Sequence, residues 1–187
     1  QDVFNRVDGL AYDCLPESYY PVELSPIAPF GSCSSVSNLS QNLVVSTVRQ
    51  MEIVADPTNL LAIEASYRRK AILDEDSRST RMVNLCSSHR LTRGQSFSGG
   101  NGKFTAHFRV FSLLSAGRDP GDYGFELHAI EEHIRFYLDL CKRLDILQDA
   151  EVSISDFSGR FDPDRFDPVF SRLAKAHTSV RFVLDSE

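Results

Sequence analysis

The sequence predicts an α+β domain with a mostly antiparallel sheet flanked by helices. Two strand-like runs, Arg81 to Arg90 and Phe104 to Ala116, bracket a segment rich in Gly and Ser, the pattern of a hairpin. Two Asp-Pro pairs, at Asp56 and Asp167, open helical patterns. A long run from Gly124 to Leu144 repeats apolar residues at spacings of three and four, away from the hairpin. Hairpin strands with separately placed helices are the α+β arrangement.

In chain order, "YYPVELSPIAPFGSC" from Tyr19 begins as a strand and breaks at Pro26 and Pro29. "LVVSTV" from Leu43 is a strand or the buried end of a helix starting near Ser40, and "MEIVAD" from Met51 is a strand. Asp56 caps the next helix and Pro57 takes its first position, where a missing N–H costs nothing. Leu60, Ile63, Tyr67 and Ala71 make its apolar stripe, and Glu64 and Arg68 an i,i+4 pair. "DED" and "SRST" read as an exposed turn before the hairpin. The helix from Gly124 carries Leu127, Ile130, Ile134, Tyr137, Cys141 and Leu144 as its stripe. "AEVSISDFS" is a strand, "FDPVFSRLAKA" a short helix capped by Asp167, and "SVRFVLD" a closing strand.

At 187 residues the chain has the size of one domain, and residues 1–187 are read as such. No apolar run nears the roughly 20 residues of a membrane helix. The formal charge of -6 and pI of about 5.4 argue against nucleic-acid binding through a generally basic surface. The charge is uneven, however. Arg68 to Arg93 holds seven Lys and Arg against three Asp and Glu, a surplus of +4. That segment is either a solvated helix end and loop or a local site for phosphates. Cys14, Cys33, Cys86 and Cys141 show no CxxC spacing, so they predict reduced, buried thiols in a cytoplasmic protein rather than a zinc site.

Catalytic motifs are few. There is no G-x-S-x-G and no P-loop, because "GGNGK" lacks the strand–loop–helix context. His128 and His133 lie five apart rather than the four of a shared metal on one helix face. Glu126, Glu131 and Glu132 read as solvent-face charges. The hairpin remains. Arg90 and Arg93 stand where its first strand enters the loop, and Arg109 on the returning strand. A guanidinium on a rigid strand can hold a phosphate bidentately, or can pair with local carboxylates.

The order of these pieces resembles the catalytic core of class II aminoacyl-tRNA synthetases, in particular histidyl-tRNA synthetase and its regulatory paralogues. "YYPVELSPIAP" is similar to the "TPI" end of motif 1, which lies at a dimer interface in that family. "ADPT" stands where the family has "RPEGT", and His89-Arg90 where motif 2 has Phe-Arg. "AGRDPGDYGFELHAIEEHIRFYLDLCKRLDI" is similar to the glycine, acidic turn and long helix that follow. The resemblance covers roughly residues 15 to 157. It implies a class II fold, a homodimer, ATP with Mg, and Arg90 on the α-phosphate, with Arg93 and Arg109 beside it. It also implies a partner enzyme or tRNA.

The departures limit what is implied. Aligning Gly117 with the family glycine puts Val110 and Leu114 where histidyl enzymes carry substrate-facing Gln and Glu. Motif 3 and an anticodon-binding domain are not visible, which implies a fragment or a domain that lost motif 3. Two functions follow: a paralogue that binds a nucleotide or amino-acid-like ligand without charging tRNA alone, or a non-catalytic regulatory or assembly subunit.

Overall fold

The computed structural model describes residues 2–38, 40–92, 107–155 and 162–185. In chain order its elements are α1 (Asp2–Cys14), β1 (Tyr19–Pro21), β2 (Ile27–Pro29), β3 (Ser46–Thr47), β4 (Met51–Ile53), α2 (Pro57–Glu75), β5 (Val83–Thr92), β6 (His107–Ala116), α3 (Gly124–Arg143), β7 (Glu151–Ser155), α4 (Asp167–Ala176) and β8 (Arg181–Asp185). They fall into two units, Glu17–Arg118 and Gln1–Pro16 with Asp119–Glu187.

The first unit is built on the hairpin. β5 and β6 pair antiparallel from Val83↔Ala116 to Thr92↔His107, and β1 joins the other edge of β5 in parallel. Side chains alternate across a strand. One face therefore carries Val83, Leu85, Ser87, His89 and Leu91, and the other Asn84, Cys86, Ser88, Arg90 and Thr92. α2 covers the first face. Its Leu61, Ala65 and Ile72 form one cluster with Val83 and Leu85, joined by Leu114 and Ala116. A second cluster holds Ala28, Val54 and Leu91, with Leu60, Phe108 and Val110 against it.

Asp56 caps α2 as expected, accepting from the Thr58 amide at 2.9 Å. The stripe differs from the expected one. Leu61, Ala65 and Ile72 are buried, whereas Ile63 and Tyr67 are 39% and 74% exposed. α2 is apolar on two flanks, and the sheet takes the flank where small Ala65 permits close approach.

β2, β4 and β3 form a small antiparallel sheet. "LVVSTV" resolves into a 3₁₀ turn at Gln41–Leu43 followed by β3. Val48, Arg49 and Gln50 link β3 to β4, the last two with φ of 63° and 58°, in the left-handed region that tight turns use. On this sheet Glu52 is fully buried. Its carboxylate accepts from the amides of Gly31 at 2.8 Å and Cys33 at 2.9 Å, and from Gln41 Nε2 at 2.6 Å.

In the second unit α1 packs on α3 and α3 on α4. α1 is an addition to the elements expected from sequence, although Val3, Val7, Leu10, Ala11 and Cys14 keep a helical period. Ala129, Phe136, Leu138 and Leu140 are buried on α3, whereas Tyr137 of the expected stripe is 42% exposed. β7 and β8 pair in parallel, and Phe170 packs beside Phe182. The expected cap Asp167 does not cap. A 3₁₀ turn precedes α4, and Asp162 accepts from the Asp164 amide at its start.

Among the described residues no helix is long and apolar enough to cross a membrane.

Candidate functional site

The candidate site is the face of the hairpin turned away from α2. Cross-strand register assigns its rows. From the loop end they are Thr92 with His107, Arg90 with Arg109, Ser88 with Phe111, Cys86 with Leu113, and Asn84 with Ser115. Directly opposed residues lie about 4.5–5.5 Å apart at Cβ. Arg90 and Arg109 are thus immediate cross-strand neighbours, and like charges directly opposite each other are destabilising. Arg90 is exposed, and its guanidinium makes no hydrogen bond or ion pair among the described residues. Arg109 is half-buried. Arg93, the third expected phosphate contact, lies outside the described residues, as does most of the Gly-rich segment.

At the far end of this face Tyr19 Oη and Ser115 Oγ are hydrogen-bonded at 3.0 Å. Cys86 lies between the two ends and is fully buried. Burial pushes its thiol up to about 11, so it is protonated and inert at neutral pH. The face grades from cationic at the loop end to apolar at Phe111 and Leu113. Guanidinium groups can grip phosphate oxygens. β5 and β6 carry no carboxylate, so these strands fit phosphate but offer no ligand to Mg. Among the described residues no group of three His, Cys, Asp or Glu could hold a metal.

Several expectations change here. Val110 and Leu114 do not face a substrate. Val110 is opposite His89 and Leu114 opposite Leu85, and both pack in the clusters beneath α2. A shift of one residue along a strand reverses the face. The returning strand presents Arg109, Phe111, Leu113 and Ser115 to the site instead. Phe111 and His107 share Arg90's face, and counting by twos from Arg109 finds both.

His89, beside Arg90, also points into the α2 side and is buried. Its Nε2 has no hydrogen-bond partner among the described residues. Burial, with Arg109 adding, holds its pKa below the ordinary histidine value. The unfolded chain therefore takes up a proton near pH 6.5 that folded His89 refuses. Stability from this group is present above about pH 6.5 and is lost as pH falls below it, at up to about 1.4 kcal/mol per pH unit. Urea unfolding between about pH 7.5 and 5.5 should show this slope and show it reduced in His89→Gln. An equal slope in the variant would refute the assignment.

In the second unit Glu131 is not a solvent-face charge. It is buried and accepts from Arg172 Nε at 3.0 Å and Arg135 Nη2 at 2.8 Å. The hydrogen bonds from Arg172, against the effect of burial, hold its carboxyl below the ordinary range. This is an ion-paired staple from α3 to α4. His128 Nε2 lies 3.6 Å from Glu132 Oε2, one turn on, and not with His133.

No family model and no curated protein matches this sequence. Solved structures do. The ATP phosphoribosyltransferase regulatory subunit/histidyl-tRNA synthetase from Bacillus halodurans C matches with a TM-score of 0.51 at 14% identity, over 73% of this chain and 34% of that one. A pyrrolysyl-tRNA synthetase of Desulfitobacterium hafniense gives 0.59 at 10%, over 82% and 49%. An Aeropyrum pernix protein assigned as a threonyl-tRNA synthetase gives 0.59 at 13%, over 95% and 44%. The chain thus spans between a third and a half of these proteins. The likeness is one of fold: this chain has the class II aminoacyl-tRNA synthetase-like α+β architecture.

Proposed function

We propose that the chain is a class II synthetase-like paralogue that binds a nucleotide, ATP in the first instance, at the arginine end of the hairpin face turned away from α2. The placement of Arg90 directly across from Arg109 carries this reading, because two guanidinium-bearing side chains on one face are positioned to share the oxygens of one phosphate. Arg90 and Arg109 hold phosphate oxygens, and Arg93 is the third candidate. Mg arrives on the phosphates, because β5 and β6 have no carboxylate to hold it.

Beyond the arginines this face turns apolar at Phe111 and Leu113, neither of which can bind the ammonium of an amino-acid-like ligand. That favours the second reading, a regulatory or assembly subunit with the fold and no adenylation. One matched neighbour is itself a regulatory subunit/histidyl-tRNA synthetase. In either role a homodimer is proposed. The outer face of the β2–β4–β3 sheet supports it, with Ile27 and Val45 exposed beside partly buried Met51 and Ile53. Four free cysteines suit a reducing, cytoplasmic setting.

Calorimetric titration of ATP tests the site. Heat from the wild type that is lost in Arg90→Ala is expected, and no heat from the wild type ends the nucleotide reading. Pyrophosphate exchange across the standard amino acids separates the two roles. Exchange with any one of them would exclude the regulatory role.

A further inference from the structure

The basic segment noted in the sequence divides in two. Arg68 pairs with Glu64 and Lys70 with Asp74, which accounts for its helical part. The turn between α2 and β5 is different. Arg69 donates to the carbonyls of Ser79 and Arg81, and Arg118 to that of Ser77 at 2.9 Å. These acceptors are neutral, so the charges are not cancelled. Arg78 and Arg81 are exposed, and their guanidinium groups make no hydrogen bond or ion pair among the described residues. The nearby carboxylates without an ion pair among the described residues are Glu75, Asp76 and Asp119, three against four arginines. Residues 17–118 as a whole carry eleven Lys and Arg against eight Asp and Glu, a charge of +3 hidden within the chain's -6.

Beside these arginines is an open cavity of about 400 Å³ lined by Tyr20, Tyr67, Arg68, Glu75 and Arg81. Tyr20 and Tyr67 are 58% and 74% exposed. Arg68 lies over the Tyr20 ring at 4.5 Å, held there by Glu64 at 2.7 Å. A fixed guanidinium, exposed tyrosine rings and a surplus of positive charge thus meet in one place.

We propose that this surface binds single-stranded nucleic acid, with phosphates on Arg78, Arg81 and Arg118 and an unpaired base stacked on Tyr67. Charge complementarity selects a polyanion. The exposed rings select one whose bases are free to stack, which a duplex does not offer. The surface is separate from the nucleotide site. Seven residues of β5 part Val83 from Arg90, about 23 Å at the rise of a strand.

Fluorescence anisotropy with a labelled oligouridylate of about twelve nucleotides, at about 50 mM salt, tests it. Binding that weakens steeply with added salt is expected. Arg78→Glu with Arg81→Glu should weaken it about tenfold or more, and Arg78→Gln with Arg81→Gln by less, with unchanged melting temperatures. Tyr67→Ala should weaken the oligonucleotide about fivefold or more while leaving competition by inorganic polyphosphate unchanged. Arg90→Ala and saturating ATP should leave the oligonucleotide affinity as it is, which separates this site from the proposed nucleotide site. No anisotropy change at low salt would overturn the proposal. So would full affinity in the glutamate variant, or a Tyr67→Ala protein that holds oligonucleotide, duplex and polyphosphate as well as the wild type does.

Discussion

Glu52→Ala should destabilise the protein by about 3 kcal/mol or more, the largest effect expected of any single change outside the apolar clusters. Glu52 is fully buried with no ion pair among the described residues, and it accepts from three donors: the amides of Gly31 and Cys33 and the side chain of Gln41. Each buried donor left without an acceptor costs about 1–3 kcal/mol. Burial alone would raise the carboxyl's pKa, yet the hydrogen bonds outweigh it and hold the pKa below the ordinary value. The folded carboxyl is thus the stronger acid. The stability it contributes is present above the unfolded value and is lost as pH falls through the folded one. Glu52→Gln keeps the shape but turns an amide NH2 toward donors, so it should cost less than alanine and flatten the acid limb. Urea titrations at neutral and acid pH measure both. A Glu52→Ala protein within about 0.5 kcal/mol of wild type would mean the loop from Gly31 to Gln41 is not held by this carboxylate.

What could be read ahead of the structure was local. Alternation found β5 and β6, and the Asp56-Pro57 start found α2, because each signal lies within a few residues. What failed depended on distant partners. The stripe of α2 was misplaced because two of its flanks are apolar, and only the sheet decides which is covered. Glu131 was taken for a surface charge because its partner Arg172 is 41 residues away. Glu52 carried no signal at all, its amide partners being 19 and 21 residues back.

The site shows the same division. Arg90 and Arg109 were both legible as strand arginines, but their direct opposition is a matter of register, which no count along one strand gives. Parity was the weak point. Placing Val110 and Leu114 by reference to Gly117 put them on the site, whereas pairing with His89 and Leu85 puts them under α2. Phe111 and Leu113 take their place. The site keeps an apolar floor, so the doubt over amino-acid activation survives with different residues behind it.

That floor and the arginine pair together predict a protein that gives up stability for binding. Without ligand, Arg90→Ala should raise stability by about 0.2–1 kcal/mol, because it removes a like charge opposite Arg109 and breaks no hydrogen bond among the described residues. With ATP the sign reverses. A hydrogen bond to a charged group is worth about 1.5–3 kcal/mol, so the same change should weaken ATP by roughly ten- to 150-fold. Arg90→Lys keeps the charge and loses the fork, so its affinity should fall between the two. Thermal melts with and without ATP read both effects at once. The wild type should gain melting temperature with ATP concentration and Arg90→Ala should not, starting from a higher unliganded value. An Arg90→Ala protein that is less stable unliganded would show that Arg90 serves the fold. One that gains the same ATP shift as the wild type would place the phosphate elsewhere. If both expectations hold, the repulsion across the hairpin is a feature of the site, relieved by the anion it is built to take.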